Sequence, residues 1–170
     1  MDELVACYDP ADADGRTVGT APRSRIRAEN IPHGATAVLV RDPAGRVYVH
    51  RRTETKDIYP GRHDCFAGGV VLAGERPDDA AARELAEELG ISGVPLEPSF
   101  RFWYADGNTH YLAFVYATTW DGPVVHQPEE VAAGGWMAVP ELLERLADPS
   151  WAFVPDGRVA VAECRRRGLL

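Results

Sequence analysis

A segment of 13 residues, Pro77–Leu89, constrains the fold most, because its sequence specifies both its ends and its two faces. It begins with a proline, which suits the first turn of a helix, and Gly90 follows at a position that ends one. At 100° per residue, Glu84, Glu87 and Glu88 share an arc of about 100°. The apolar residues on the other side are Ala81, Ala82, Leu85, Ala86 and Leu89. The segment predicts a helix that docks on a sheet and presents carboxylates on the opposite face.

The carboxylate row is unfavourable on a bare helix. Glu84 and Glu88 are like charges four residues apart, which destabilises a helix slightly. A hard divalent cation such as Mg²⁺ would relieve this repulsion, since it prefers oxygen ligands and shares them with substrate phosphates. Arg83 and Glu75 are placed to orient the row through ion pairs. The alternative is a solvated acidic face, the usual fate of such charges.

A longer sequence pattern around the helix favours a metal site over a solvated acidic face. Gly69 is followed after five residues by Glu75, and after seven more by the unbroken stretch at 83–91, Arg-Glu-Leu-Ala-Glu-Glu-Leu-Gly-Ile. Residues 69–91 resemble the Nudix box at every defining position, so the chain is identified as similar to the Nudix hydrolase superfamily. The resemblance implies an α/β/α sandwich with a mixed sheet. We expect residues 1–170 to form one such domain, with 1–30 as an N-terminal extension.

The resemblance also implies an activity: a Mg²⁺-dependent enzyme, with Mn²⁺ as the alternative metal, that cleaves a diphosphate bond in a nucleoside diphosphate linked to another moiety. By position, Glu87 and Glu88 would be metal ligands, together with the backbone carbonyl of Gly68. Glu84 would be a ligand or the base that activates water. The structural residues of the box would be Gly69, Glu75, Arg83 and Gly90.

A second resemblance lies just before the box. Residues 50–56 and 59–61 look like the isopentenyl-diphosphate-isomerase-like branch of Nudix proteins, and Arg52 and Lys56 match its diphosphate-binding positions. Lys56 is the only lysine in the chain. The isomerases need a cysteine immediately before the box glycine, where this chain has Gly68, and Cys65 lies three residues too early. A hydrolase-type member is therefore expected, and an isomerase or a non-catalytic nucleotide sensor are the alternatives.

Glu130 is a further candidate for the catalytic base. It lies in a loop that supplies an acidic residue to the metals in many Nudix enzymes. The alternative is an acid that is simply exposed on the loop.

The net charge of −8 bears on partners. It argues against a broad nucleic-acid surface and against binding to an anionic membrane, because such binding requires many neutralised phosphates. The charge is uneven: residues 75–88 carry six acidic and two basic side chains, whereas 46–62 carry two acidic and five basic ones. This favours a small phosphorylated substrate, and the resemblance implies that it is nucleotide-derived. Three scattered cysteines and no apolar N-terminal segment predict a cytoplasmic protein. Segment 1–30 is a candidate for an added edge strand or a homodimer contact.

Patterning elsewhere predicts a mixed sheet covered by helices. Residues 35–52 read as a hairpin with a turn at 42–45. The other predicted strands are 3–8, 65–71, 100–104, 110–119 and 135–139, and the other predicted helices are 140–147 and 156–167.

Overall fold

The computed structural model describes residues 1–170, which form nine strands and four helices. The strands are β1 (Leu4–Tyr8), β2 (Thr17–Pro22), β3 (His33–Arg41), β4 (Val47–Arg52), β5 (His63–Asp64), β6 (Phe66–Ala67), β7 (Glu97–Ala105), β8 (His110–Thr119) and β9 (Val131–Met137). The helices are α1 (Arg23–Glu29), α2 (Pro77–Leu89), α3 (Val139–Ala147) and α4 (Pro155–Arg166).

The sheet is mixed, as the sequence predicted. β3 and β8 run parallel along the whole of β3, from His33↔Tyr111 to Arg41↔Thr119. β7 pairs antiparallel with β8, and β4 pairs antiparallel with both β9 and β5. The parallel pair needs a long crossover connection, which the chain supplies through α2.

The predicted hairpin of residues 35–52 forms only at its turn. β3 and β4 pair at Arg41↔Val47 and then separate, because each strand finds other partners. β6 pairs with β3 at Val38↔Ala67, while β4 turns to β9. A cavity is lined by residues of β3 together with Arg52, the last residue of β4.

Alternation along β3 produces two packed layers. Val38 and Val40 are buried with Leu85 of α2, whereas Leu39 is buried on the other face with Leu142 of α3 and Val161 of α4. Successive side chains of a strand point to opposite faces, so one short apolar run holds both layers. This is the predicted sandwich of helices around a mixed sheet.

Helix α2 has the predicted bounds but not the whole predicted buried face. Gly90 ends it in the left-handed conformation, with a φ of 66°, and its N–H donates to the carbonyl of Ala86 at 3.0 Å. Ala82 is exposed, so its assignment to the docked face was wrong. The buried residues are Ala80, Ala81, Leu85, Glu88 and Leu89. The buried face of α2 is therefore rotated relative to the predicted one, and it includes Glu88.

Residues 1–30 join the sheet. β1 was predicted from the sequence, whereas β2 and α1 were not. β1 pairs with β2 and meets β3 at Cys7↔His33. All three cysteines are buried and free. None of the four helices has the length and apolar character needed to cross a membrane.

Candidate active site

Arg83 organises the start of the acidic row. Its Nε and Nη2 donate to the two carboxylate oxygens of Glu75 at 2.8 and 3.0 Å, and Nη2 also reaches the carbonyl of Val70 at 3.1 Å. Its Nη1 donates to Glu84 at 2.6 Å. These contacts raise the pKa of Arg83. Burial opposes ionisation of Glu75, but the Arg83 and Leu72 N–H donors prevail and lower its pKa. The predicted orienting ion pairs are therefore present.

Glu84 is held against the loop that precedes the helix. Its side chain is only 13% exposed. A Cβ on Gly69 would lie 2.6 Å from the Glu84 carboxylate, so only glycine permits this approach. Burial raises the pKa of Glu84, even though Arg83 acts in the opposite direction. A buried carboxylate of this kind accepts protons more readily than a surface one.

Glu88 is the most buried acid of the row, at 4% exposure. Its Oε2 accepts one long hydrogen bond, 3.3 Å from the Gly68 N–H, and its Oε1 accepts none from the protein. Burial raises its pKa to about 7, although nearby Lys56 favours the ionised form. Glu87 remains 49% exposed and lies 3.4 Å from Arg83. A solvated face thus describes Glu87 but not Glu84 or Glu88.

Two loops bring Lys56 and Glu130 together. The Lys56 side chain is 9% exposed and forms an ion pair with Glu130. Burial and the charge of Arg52 lower the pKa of Lys56. The loop of Glu130 is tied to α2 by the Gln127 N–H, which donates to the Glu88 carbonyl at 3.1 Å. Both predicted residues therefore lie at the glutamate row.

Arg52 anchors the loop that follows β4. Its Nε and Nη2 donate to the carbonyl of Ile58 at 3.2 and 2.8 Å. No carboxylate is paired with it, and it lines a cavity of about 120 Å³ together with Lys56 and Gly68. Its neighbour Arg51 lies outside this cavity and contacts Glu54 at 3.4 Å, as alternation along the strand predicts.

The donor set fits a hard divalent cation. An ionised carboxylate that is almost fully buried, with one oxygen lacking a partner, is costly unless a cation or a proton neutralises it. Glu88 is such a group, and Glu84 lies one helical turn before it. As the side chains stand, no three acidic, histidine or cysteine groups form a ready-made metal cluster. Glu84 and Glu87 are instead neutralised by Arg83.

Gly68 bears on the isomerase alternative. A Cβ at this position would lie 1.9 Å from the carbonyl oxygen of Thr36, which no side chain can tolerate. The cysteine that the isomerases need there does not fit this backbone. Cys65 is buried, at 2% exposure, and burial raises its pKa well above the usual value. It is also not among the residues that line the cavity.

Sequence reasoning missed several residues of the cavity. Asp64 and Asp156 line it, and burial together with the neighbouring Asp156 raises the pKa of Asp64 to about 7. The only sequence signal for Asp156 is its place at the start of the predicted helix 156–167, and no local pattern singles out Asp64. Arg23 and Arg27 of α1 also line the cavity and pair with Asp57. The sequence predicts only an added strand or a dimer contact for their region.

Comparisons with known proteins identify the family. The model of the NUDIX domain matches residues 31–157. An uncharacterized Nudix hydrolase of Rhodococcus erythropolis is 44% identical over 95% of this chain and 91% of its own length. One of Streptomyces coelicolor is 47% identical over 97% of this chain and 93% of its own. The Escherichia coli relative YfcD, also uncharacterized, is 36% identical over 94% of this chain and 86% of its own.

Solved structures share the fold. A crystallised protein of Deinococcus radiodurans superposes with a TM-score of 0.78 at 23% identity, over 95% of this chain and 99% of that one. A MutT protein of Methanosarcina mazei gives 0.69 at 22% identity, over 81% and 95%. With the family model matching residues 31–157 and relatives similar along nearly the whole length, the chain belongs to the Nudix hydrolase family.

Proposed function

We propose that the protein is a Mg²⁺-dependent pyrophosphohydrolase that cleaves a diphosphate bond in a nucleoside diphosphate linked to another moiety. The observation that carries this is Glu88, a buried carboxylate with an unpartnered oxygen beside a cavity lined by Arg52 and Lys56. A divalent cation would neutralise the carboxylate, and the two basic side chains can bind the oxygens of a diphosphate. The cavity thus offers basic side chains for a diphosphate, and the carboxylate that would hold the cation lies beside it, against Gly68.

Glu84, Glu87, Glu88 and the carbonyl of Gly68 would hold the cation, with Mn²⁺ as the alternative to Mg²⁺. When bound, the cation neutralises phosphate oxygens and lowers the pKa of coordinated water. Arg83 would then release part of its hold on Glu84 and Glu87 while keeping its two bonds to Glu75. The Arg83–Glu75 pair would thereby hold the loop against α2 while the carboxylates of Glu84 and Glu87 bind the metal.

Two residues are candidates for the base that takes the proton from the attacking water. Glu84 is buried, and burial raises its pKa toward the range useful for a base. Glu130 is 30% exposed and paired with Lys56. If the substrate diphosphate takes over Lys56, the Glu130 carboxylate becomes free to accept a proton. Kinetics of the two single variants separates these roles.

The proposal is tested with a panel of nucleotide sugars, dinucleotides and nucleoside di- and triphosphates in Mg²⁺, by measuring release of phosphate, pyrophosphate or nucleoside monophosphate. Glu84→Gln and Glu87→Gln should each reduce turnover about 100-fold or more. Glu144→Gln is the matched control, because Glu144 is an exposed helical glutamate with no ion pair. Equal rates for wild type and both box variants would exclude the box as the active site.

The two alternatives give different products. An isomerase would convert isopentenyl diphosphate to dimethylallyl diphosphate without releasing phosphate. A sensor would bind a nucleotide of the panel and hydrolyse none. Neither is favoured here, since Gly68 excludes the isomerase cysteine and all four box glutamates are kept.

We also propose that residues 1–170 work as one unit, with 1–30 supporting the site. Arg27 donates to Asp57 at 2.9 Å and Arg23 contacts the same carboxylate at 3.4 Å. Asp57 follows Lys56 directly, so α1 braces the loop that carries the lysine.

A further inference from the structure

Four of the polar side chains that line the cavity outside the Nudix box lie next to one another: His33, Asp64, Tyr111 and Asp156. They come from four different elements, β3, β5, β8 and the first turn of α4. The rings of His33 and Tyr111 are 5.9 Å apart, and the Tyr111 hydroxyl donates to Asp156 at 2.6 Å. The Asp64 carboxylate approaches Gly157 so closely that a Cβ there would lie 3.3 Å from it. These contacts link the four side chains into one wall.

Two acceptor atoms of this wall have no partner in the protein. Asp156 is satisfied, because Tyr111 donates to one oxygen and the Gly157 N–H to the other at 2.9 Å. Asp64 accepts the Phe66 N–H at 3.0 Å on Oδ1 only, which leaves Oδ2 without a donor.

His33 supplies the second unpaired acceptor. The side chain is 2% exposed, and Nδ1 lies 2.8 Å from the Ile31 carbonyl. A carbonyl can only accept, so Nδ1 carries the proton and Nε2 presents a lone pair with no hydrogen bond. Burial lowers the pKa of His33 to about 4, which keeps the ring neutral.

A ligand that donates hydrogen bonds is the chemical complement of this wall. A buried acceptor without a donor is unfavourable, so a ligand that fills the cavity and lacks N–H or O–H groups would leave Asp64 Oδ2 and His33 Nε2 unsatisfied. The space is small, about 120 Å³, compared with the roughly 300 Å³ or more of pockets that enclose a drug-sized ligand. It therefore suits one small polar group rather than an entire nucleotide.

We propose that Asp64 and His33 form a specificity subsite for the group attached to the scissile diphosphate, and that this group places a small edge bearing N–H or O–H donors in the cavity. Arg52 lines the same cavity, so diphosphate and donor group would be bound side by side. This placement rests on the proposed function. A nucleobase amino group and a sugar hydroxyl are the two sources of such donors.

Calorimetric binding of monophosphates at about pH 8.5, where the Asp64 carboxyl is ionised and can only accept, tests the subsite without relying on turnover. Guanosine monophosphate is compared with inosine monophosphate, which lacks the amino group, and glucose 1-phosphate with cyclohexyl phosphate, which lacks the hydroxyls. We expect the donor-bearing member of one pair to bind wild type about fivefold or more tightly, the value of one hydrogen bond. The pair that discriminates identifies the source of the donor.

Asp64→Asn should reduce this preference below about twofold, since it replaces the free acceptor with a donor. His33→Asn is the second variant, because its amide can still donate to Ile31 while Nε2 is lost. Asp121→Asn, an exposed acid outside the cavity, should keep the preference. No discrimination in either pair by wild type, or full discrimination by both variants, would overturn the subsite. Discrimination without hydrolysis of any panel substrate would retain the subsite and reject the hydrolase.

Discussion

The ammonium group of Lys56 forms an ion pair with the carboxylate of Glu130, joining the loop after β4 to the loop before β9. The two residues were predicted to have separate functions, one binding phosphate and the other acting as a base. Their pairing means that each masks the charge of the other until a ligand separates them.

Lys56→Met tests the phosphate contact. The lysine is 9% exposed, so methionine fills the same space without the charge. A charge-assisted hydrogen bond contributes about 1.5–3 kcal/mol, so KM for the best panel substrate should rise about 10- to 100-fold. Glu130→Gln is the comparison: as a base it should lower kcat and leave KM nearly unchanged. An unchanged KM in Lys56→Met would remove Lys56 from the binding site.

The metal-free protein should lose stability as pH rises, in part through Glu88. The pKa of Glu88 is about 7 in the folded state and about 4.5 when unfolded, so between these values the folded state binds the proton more tightly. The free energy of unfolding therefore falls from pH 4.5 to 7, by up to about 3 kcal/mol from this group. Urea denaturation in EDTA at several pH values measures it.

Glu88→Gln isolates that contribution. The variant should be more stable than wild type at pH 8 in EDTA, and the difference should shrink towards pH 4.5. Asp64 adds a similar slope to both proteins, so the difference between them is the informative quantity. Adding Mg²⁺ should raise the Tm of wild type more than that of the variant. A difference that does not change with pH would contradict the buried, proton-retaining Glu88.

Gly68→Ala should destabilise the protein strongly. The new Cβ would lie 1.9 Å from the Thr36 carbonyl oxygen, which is backbone and cannot move aside alone. Overpacking of this kind costs about 1–3 kcal/mol or more. Gly135→Ala in β9 is the control, because nothing lies within 4 Å of its Cβ position, and its midpoint in urea should shift little. Equal urea midpoints for both variants would show that the backbone of β3 at Thr36 leaves room for a side chain at position 68.

Arg83→Lys should weaken both stability and activity. Lysine keeps the charge but cannot hold Glu75 through two parallel bonds while also reaching Glu84. A loss of about 1–3 kcal/mol is expected, because buried partners are left unsatisfied. Arg25→Ala breaks an exposed pair with Glu29 and should cost about 0.5 kcal/mol or less. If Arg83→Lys lowers the free energy of unfolding no more than this control does, the two parallel bonds from Arg83 to Glu75 are not needed for stability.

Arg27→Met tests the support from α1. It removes the 2.9 Å contact with Asp57 and should raise KM a few-fold by loosening the loop of Lys56, with kcat retained. Arg46→Met, which breaks a pair with Asp42 outside the cavity, is the control. A matching KM in both variants would mean that residues 1–30 do not support the site.

The sequence by itself determined the start and end of α2, the acidic row and its partners Glu75 and Arg83. These follow from helix-start chemistry at Pro77, the left-handed stop at Gly90 and the turn of the helix, all of which act within a few residues. Most strands were also predicted, since alternation is local. The missed β2 and α1 lie in a segment with no comparably regular pattern.

Only the tertiary structure decided which acids are buried. Glu87 and Glu88 are neighbours on the same arc, yet one is half exposed and the other 4% exposed. The difference arises because the docked face is rotated and the loop of Lys56 lies close to Glu88. The pair of Lys56 with Glu130, and the wall formed by His33 and Asp64, likewise join residues far apart in the chain. Burial and long-range pairing depend on what packs over a residue, and no local pattern encodes that.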